Sequence, residues 1–318
     1  MGGLTMPRSR LFLSGVAAVV LLAGIRISFA APRAPVYLGV LEGPQVEATA
    51  PNPPVSSGLH VRVLFRRDGS RWKPMEGAFG TPAALGGTNR LAPQSVAWTV
   101  FFRGKAIGDV RSRNPGVVRW YSDVGAQIIT TPEVNIPVIR SGARDFPAPG
   151  AVARRRPLLL VSAPQERNRQ PWRPTVLTPA QAATAAAALR TWVHSSERCR
   201  TPEQEPVRRV PYGNDRIHVL RAYRDRNGQV LLGERLEDPR ANCAFFDDPN
   251  FVDYWFVMDR RGSIRYLGRR MTPVDVANVD PGGRPAWLFL TSRGEDENGY
   301  RLFYDDFRKV ASFHWIDH

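Results

Sequence analysis

The acidic side chains in the C-terminal half of this 318-residue chain are the residues best suited to chemistry. Hydrolysis of a glycosidic bond needs two carboxyl groups that face each other across a cleft, about 5 Å or about 6.5–9.5 Å apart. Asp248, in a predicted turn, and Asp253 are the candidates for such a catalytic pair. They support one interpretation of the chain, a secreted hydrolase that acts on polysaccharide.

Other sequence signatures of catalysis do not strengthen this interpretation. The chain contains no Gly-x-Ser-x-Gly and no His-Glu-x-x-His motif, which carry the nucleophile or the zinc ligands of several hydrolase families. It contains neither a Gly-rich phosphate-binding loop nor a dinucleotide fingerprint. We therefore expect no nucleotide cofactor, and a binding or structural role is favoured over catalysis.

The segment from Asp275 to Leu290 places polar residues between two apolar stretches. Because Ca²⁺ takes six to eight oxygen ligands, calcium loops alternate acidic or amide side chains and use glycine at the sharp bend. Asn278, Asp280 and Gly283 follow that spacing, and the segment resembles the calcium loop of FG-GAP (VCBS) repeats. Glycine and alanine occupy the other two acidic positions. We expect a loop that has kept its shape and lost its ion, with Ca²⁺ binding as the alternative.

The first 30 residues predict export. Arg8 and Arg10 precede an apolar run of 15 residues, Leu11–Ile25, and small residues precede Ala31. This is the order of a secretory signal peptide, and the run falls short of the roughly 20 residues that span a bilayer. We predict a signal peptide over residues 1–30 and a secreted or periplasmic protein of the bacterial envelope. The alternative is a protein anchored in the membrane by an uncleaved leader.

Cys199 and Cys243 are the two cysteines of the chain. In an oxidising compartment, two cysteines in a secreted chain predict one disulfide. It would close a loop with 43 residues between its ends, which the chain-entropy model values at roughly 3–4 kcal/mol. A thiol or metal pair is the competing interpretation.

Positive charge is concentrated in the first two thirds of the chain. The net charge of +15 falls to +12 without the leader, and residues 234–318 carry −3, so residues 31–233 carry about +15. Of the 44 basic residues 41 are arginine, a bias that GC-rich codons produce by themselves. We expect no nucleic-acid partner. A basic face towards an anionic surface, such as acidic polysaccharide or lipid head groups, is physically reasonable, and a solvated surface without a partner is the alternative.

Alternating apolar and polar residues with Gly and Pro between them predict short antiparallel strands. In the run His60–Phe65, this alternation assigns Val61, Val63 and Phe65 to one face. Similar strands continue to about Ile139. We therefore predict an N-terminal β domain over residues 31–150.

The second part of the chain, residues 151–318, is predicted to be a β-rich module with one amphipathic helix over 179–195. Thr178 is the expected N-cap and Pro179 the first helical residue. Asp225 and Asp259 each begin an Asp-Arg-x-Gly segment, which predicts tight two-residue reversals in two hairpins. Trp172, between two prolines, is expected to be exposed. The fold class is mainly β, with α+β in the C-terminal half as the alternative.

Together these observations predict an exported, non-catalytic binding or structural protein without a cofactor. Its ligand and its oligomeric state do not follow from the sequence.

Overall fold

The computed structural model describes residues 35–43, 59–75, 93–113, 126–130, 156–164, 170–196, 217–236, 252–279, 284–292 and 297–316. Their contacts lie within one compact unit that spans Pro35–His318. The described residues form β1 (Tyr37–Glu42), β2 (His60–Asp68), β3 (Arg71–Pro74), β4 (Ser95–Phe102), β5 (Lys105–Arg113), β6 (Ala126–Ile129), β7 (Leu158–Val161), β8 (Trp172–Pro174), α1 (Pro179–Ser196), β9 (Ile217–Asp225), β10 (Val230–Leu236), β11 (Val252–Met258), β12 (Ile264–Arg269), β13 (Met271–Asn278), β14 (Pro285–Ser292), β15 (Glu297–Tyr304) and β16 (Lys309–Ile316).

The first sheet closes on itself to form a barrel. Its strand order is β1-β7-β4-β5-β6-β2-β3, and β1 also pairs with β2. Six strands therefore form a ring, and β3 extends from β2 as a hairpin. Apolar side chains from around the ring fill the interior, among them Leu41, Val61, Val63, Val96, Trp98, Val110 and Leu160. Strand β7 follows the predicted domain boundary at residue 150, yet it lies between β1 and β4 of this barrel.

The side-chain directions along β2 differ from the prediction because β2 contains a β-bulge. Leu38 of β1 lies opposite Phe65, whereas the next residue, Gly39, lies opposite Val63. Leu64 is thus the extra residue of the bulge, and an extra residue reverses the alternation beyond it. Val61 and Val63 point into the barrel, but Phe65 joins the core on its outer surface. The prediction that all three share a face was wrong for Phe65.

The strands β13–β16 form a four-stranded meander between the barrel and a third sheet. One face of this meander packs on the outer surface of the barrel, with Leu288, Leu302 and Phe313 against Leu38 and Phe101. Its other face packs on the third sheet through a core that is rich in aromatic residues, namely Trp172, Trp255, Trp287, Phe289, Phe303 and Phe307. The meander is therefore buried on both faces and joins the two other sheets.

The third sheet is a five-stranded meander, β8 to β12 in chain order, and α1 covers its other face. The helix begins as predicted. The Gln181 backbone N–H donates to Thr178 Oγ1 at 3.2 Å, and the Thr178 N–H donates to Gln181 Oε1 at 3.1 Å, which is a capping box. Ala185 and Leu189 are fully buried against the sheet.

Both predicted Asp-Arg-x-Gly hairpins are present, joining β9 to β10 and β11 to β12. Asp225 Oδ1 accepts from the N–H groups of Asn227 and Gln229, at 2.9 and 2.7 Å, and Asp259 is bonded in the same way to residues 261 and 263. The Gly228 φ is 84°. Each loop has three residues rather than the predicted two, a type I turn closed by a glycine bulge.

The prediction of a mainly β fold is confirmed. Among the described residues α1 is the single α-helix, and it covers one face of an antiparallel sheet, so the C-terminal half is mainly β as well. No helix in the described ranges has the length and apolar character needed to cross a membrane.

Candidate functional site

The predicted catalytic pair is not brought together in the described part of the chain. Asp253 on β11 lies directly opposite Arg235 on β10. Arg235 Nε donates to Asp253 Oδ1 at 2.9 Å, and Nη2 lies 2.8 Å from the same oxygen. Burial raises the pKa of Asp253, and the Arg235 charge opposes that change. Asp253 is thus half of a cross-strand ion pair, and Asp248 lies outside the described residues.

The calcium-like loop is only partly described. Asn278 is the buried last residue of β13 and lies opposite Pro285 of β14, while Asp280 and Gly283 lie outside the described residues. Within the described ranges no three His, Cys, Asp or Glu side chains are grouped so as to hold a metal ion. Ca²⁺ binding stays a prediction. The same holds for the Cys199–Cys243 disulfide and the signal peptide over 1–30, which also lie outside the described residues.

A large cleft lies where the barrel, the meander β13–β16 and the third sheet meet. Its volume is about 1350 Å³, somewhat above the roughly 300–1,000 Å³ of ordinary small-molecule sites. The β4–β5 hairpin, Arg156 and Asp275 form the barrel side of the cleft. The segment from β8 to the start of α1, together with β9, forms the other side. The cleft therefore has room for a sizeable ligand.

The β4–β5 turn places a positive charge at the cleft through a constrained backbone. Arg103 and Gly104 have φ values of 54° and 73°, and a two-residue type I′ turn requires positive φ at both positions. This conformation costs a non-glycine residue such as Arg103 about 1–2 kcal/mol. The Arg103 guanidinium carbon lies 5.1 Å from the centre of the Phe102 ring, within cation–π range. The turn thus fixes the Arg103 side chain beside an aromatic ring of the cleft.

A buried carboxylate holds this turn in place. A bulge at Val274 lets both Val274 and Asp275 face the barrel. Asp275 Oδ1 accepts hydrogen bonds from the backbone N–H groups of Gly104 at 2.9 Å and Val276 at 2.8 Å. Asp275 Oδ2 is shielded from solvent and accepts no hydrogen bond from the described residues. One oxygen is therefore structural, and the other is unsatisfied.

Burial raises the pKa of Asp275 to about 6, although three backbone N–H groups and the charge of Arg156 act in the opposite direction. Asp275 is the one acidic residue among the described residues that line the cleft, beside four cations: Arg103, Lys105, Arg156 and Arg221. Protonation of Asp275 in mildly acidic solution therefore makes the cleft more positive.

The Arg156 side chain is anchored by backbone carbonyl groups of β13. Its guanidinium donates to the carbonyl oxygens of Pro273 at 2.9 Å and Val274 at 2.6 Å, at the bulge that orients Asp275. Lys105 is exposed on the barrel side, and Arg221 is half-buried on β9. Cations thus lie on both sides of the cleft.

Aromatic side chains form the base of the cleft. The Trp172 and Trp287 ring centres lie 5.8 Å apart in an edge-to-face arrangement, and Tyr223 lies 5.0 Å from Trp287. The prediction that Trp172 is exposed was wrong, because its side chain is only 2% exposed. The proline-bounded segment adds a short strand to β9, and this pairing directs the indole into the core between two sheets.

A second polar cluster, Glu42 with His60, Arg62 and Tyr300, contains residue types that are common in active sites. Glu42 Oε2 lies 3.0 Å from His60 Nε2 and 2.9 Å from Arg62 Nη2, and the Tyr300 hydroxyl donates to Glu42 Oε1. Burial raises the pKa of Glu42, but Arg62 and His60 outweigh it and hold that pKa well below its usual range. These residues do not line the cleft. The cluster links the barrel to β15 as a buried ion pair.

Sequence reasoning missed the residues of the cleft because they lie far apart in the chain, at positions 103–105, 156, 221 and 275. The one available signal is Arg103-Gly104, a pair typical of a tight turn, which by itself carries no sign of a binding role. Ser70 and Lys73 have the Ser-x-x-Lys spacing of some acyl-transfer enzymes. Both are exposed in the β2–β3 hairpin, where Lys73 pairs with Asp68 at 2.5 Å, so they form no enclosed site.

Comparison with models of protein families, with curated proteins and with solved structures finds no match to this chain. The cleft must therefore be interpreted from its own chemistry. Guanidinium and ammonium groups attract and hydrogen-bond anions, and the half-buried rings of Phe102 and Tyr223 offer apolar contact. The arrangement is suited to holding an anionic ligand that also has an apolar part.

Proposed function

We propose that this protein is an exported, non-catalytic binding protein of the bacterial envelope and that it holds an anionic ligand in the cleft. The observation that carries the proposal is the charge of the lining, four cations and a single carboxylate among the described residues. The carboxylate itself has a pKa raised to about 6, so its repulsion of an anion weakens in mildly acidic surroundings. The proposal of export depends on the sequence pattern of residues 1–30.

The alternative, a secreted hydrolase that acts on polysaccharide, has less support. Its mechanism needs two convergent carboxyl groups, and Asp275 is the one carboxylate that the described residues bring to the cleft. Asp253 lies in an ion pair with Arg235. A binding role needs no such pair.

The proposal is tested with two dyes that differ in one charged group. 8-Anilinonaphthalene-1-sulfonate carries a sulfonate, and N-phenyl-1-naphthylamine is its neutral counterpart. We expect fluorescence titration to show tighter binding of the sulfonate, with an affinity that falls as salt is added, because salt screens charge.

The matched variants are Lys105→Gln/Arg221→Gln, which removes two cations of the cleft, and Arg226→Gln/Arg261→Gln, which removes two exposed arginines from hairpin loops. Hydrogen bonds to charged groups are worth about 1.5–3 kcal/mol each. Loss of one such bond weakens binding by about 10- to 100-fold, so we expect the first double variant to bind the sulfonate at least 10-fold more weakly, with little change for the neutral dye. Equal loss of affinity in both double variants would contradict a site in the cleft.

A further inference from the structure

We infer that the ligand of the cleft is a single-chain anionic amphiphile, an acid head group on an unbranched apolar chain. The inference rests on the proposed function, because it assigns the cleft cations to the head group. It adds the chemical nature of the rest of the ligand. It follows from the distribution of exposed apolar side chains over the described surface.

Three of the five exposed large apolar side chains in the described ranges border this one cleft. Val176 is 90% exposed, Val219 40% and Leu220 36%, whereas Val310 at 53% and Ile128 at 44% lie elsewhere. Single exposed apolar residues are ordinary on protein surfaces, but a group of them beside a concave site marks a binding surface. We call Val176, Val219 and Leu220 the apolar lip.

The apolar lip lies on the side of the cleft that most of the cations do not occupy. Val176 belongs to the segment between β8 and α1, and Val219 and Leu220 belong to β9 before that strand meets β8. Three of the four cations, Arg103, Lys105 and Arg156, come from the barrel side instead. A ligand that covers the apolar lip and also contacts these three cations is therefore charged at one end and apolar at the other, with Arg221 beside the lip as the fourth cation.

Apolar surface continues from the apolar lip into the cleft. Leu177, just before α1, and Ala182, within its first turn, line the cleft on the side of the apolar lip. Ile107 of β5 and the aromatic base complete the apolar part of the lining. An unbranched chain can follow this surface while its head group reaches the cations. A soluble acidic polysaccharide has no apolar chain to cover Val176, and this distinguishes the two kinds of anion.

The charge of Asp275 bears on the same ligand. Its Oδ2 is buried beside the cleft cations, is shielded from solvent and has no hydrogen-bond partner among the described residues. The head group therefore meets the charge of Asp275 rather than the oxygen itself. Arg103, Lys105, Arg156 and Arg221 are the charged side chains that line the cleft around it.

The experiment compares hexanoate with decanoate by isothermal titration calorimetry, both below their critical micelle concentrations. Each methylene removed from water raises affinity about fourfold at full burial, so four methylenes give up to about 250-fold. We expect decanoate to bind at least 20-fold more tightly than hexanoate. Acetate, which offers a head group alone, should bind more weakly than hexanoate.

The test variant is Val176→Ser/Val219→Ser/Leu220→Ser, and the matched control is Ile128→Ser/Val310→Ser, which removes exposed apolar side chains away from the cleft. We expect the triple variant to reduce the preference for decanoate to fivefold or less, while the control keeps it. Thermal unfolding of both variants establishes that they are folded, since exposed positions tolerate such changes.

Two further ligands separate failure of this inference from failure of the proposed function. If trigalacturonate binds and decanoate has no advantage over hexanoate, the amphiphile is wrong and the anion-binding cleft stands. If phosphatidylglycerol vesicles bind through the apolar lip while monomeric decanoate does not, the occupant is a membrane surface and the inference is also overturned. If neither decanoate nor the sulfonate dye binds, both proposals fail.

Discussion

Glu234 is a carboxylate that is buried without a hydrogen bond from the described residues. It lies on β10 on the face that α1 covers, opposite Tyr254 of β11. Its side chain is fully buried, and neither carboxylate oxygen accepts a hydrogen bond from the described residues. Burial raises the pKa of Glu234 to about 7, and the charge of Arg190 on α1 offsets only part of that effect.

The direction of the pH effect follows from this raised pKa. In the unfolded chain Glu234 titrates near its ordinary value of 4.5, so the folded state binds more protons between about pH 4.5 and 7. The contribution of Glu234 to the free energy of unfolding is therefore fully present below pH 4.5 and is lost as the pH rises through 7. With about 1.4 kcal/mol for each tenfold change in proton affinity, the loss is about 3 kcal/mol.

The perturbation is Glu234→Gln, which replaces the titrating group with a neutral one of the same shape. Urea unfolding at several pH values between 4.5 and 8 gives the free energy of unfolding of the variant and of the natural chain. We expect the two to be similar at pH 4.5 and the variant to be more stable by about 3 kcal/mol at pH 8. The control Asp306→Asn changes an exposed carboxylate and should show no such divergence. A constant difference between Glu234→Gln and the natural chain at all pH values would show that folding does not raise the pKa of Glu234.

Three other predictions concern the cleft and the helix. Because ionised Asp275 repels an anion, the natural chain should bind the sulfonate dye several-fold more weakly at pH 8 than at pH 5. Asp275→Asn should remove this pH dependence, and equal pH dependence in both would contradict the assignment. Gly104→Ala should lower the free energy of unfolding by about 1–2 kcal/mol in urea because φ is positive there, whereas Gly108→Ala, inside β5 with open space around it, should raise it by up to about 1 kcal/mol. Thr178→Ala should cost about 1 kcal/mol through loss of the helix cap, and thermal unfolding of the mid-helix variant Thr184→Ala should show a smaller change.

Local features of the fold could be predicted from the sequence because their causes are local. The helix cap at Thr178 and the reversals after Asp225 and Asp259 each depend on hydrogen bonds within five residues. The face of Phe65 could not be predicted in the same way. It depends on a bulge that forms only when β1 pairs with β2, and the strand pattern of β2 by itself carries no sign of it.

The candidate site was beyond sequence reasoning for a related reason. Asp275 stood inside a segment interpreted for calcium, and its actual partner is the backbone of Gly104, 171 residues away. Asp253 was singled out by its type and position, whereas its chemistry is decided by Arg235 on the neighbouring strand. The residue type shows which reactions a carboxylate can take part in. Tertiary contacts decide which carboxylates are held in ion pairs or hydrogen bonds and which can act on a ligand.

The position of β7 in the barrel has a consequence for how the chain acquires its structure. Leu158–Val161 inserts between β1 and β4, pairing with both, although it follows them in the chain by more than 50 residues. Until β7 has been synthesised, β1 and β4 have unpaired edges, which invite aggregation. Pairing between strands so distant in sequence is also slow. The ring can close only after residue 161 is available, so the barrel cannot form before about half of the chain has been synthesised.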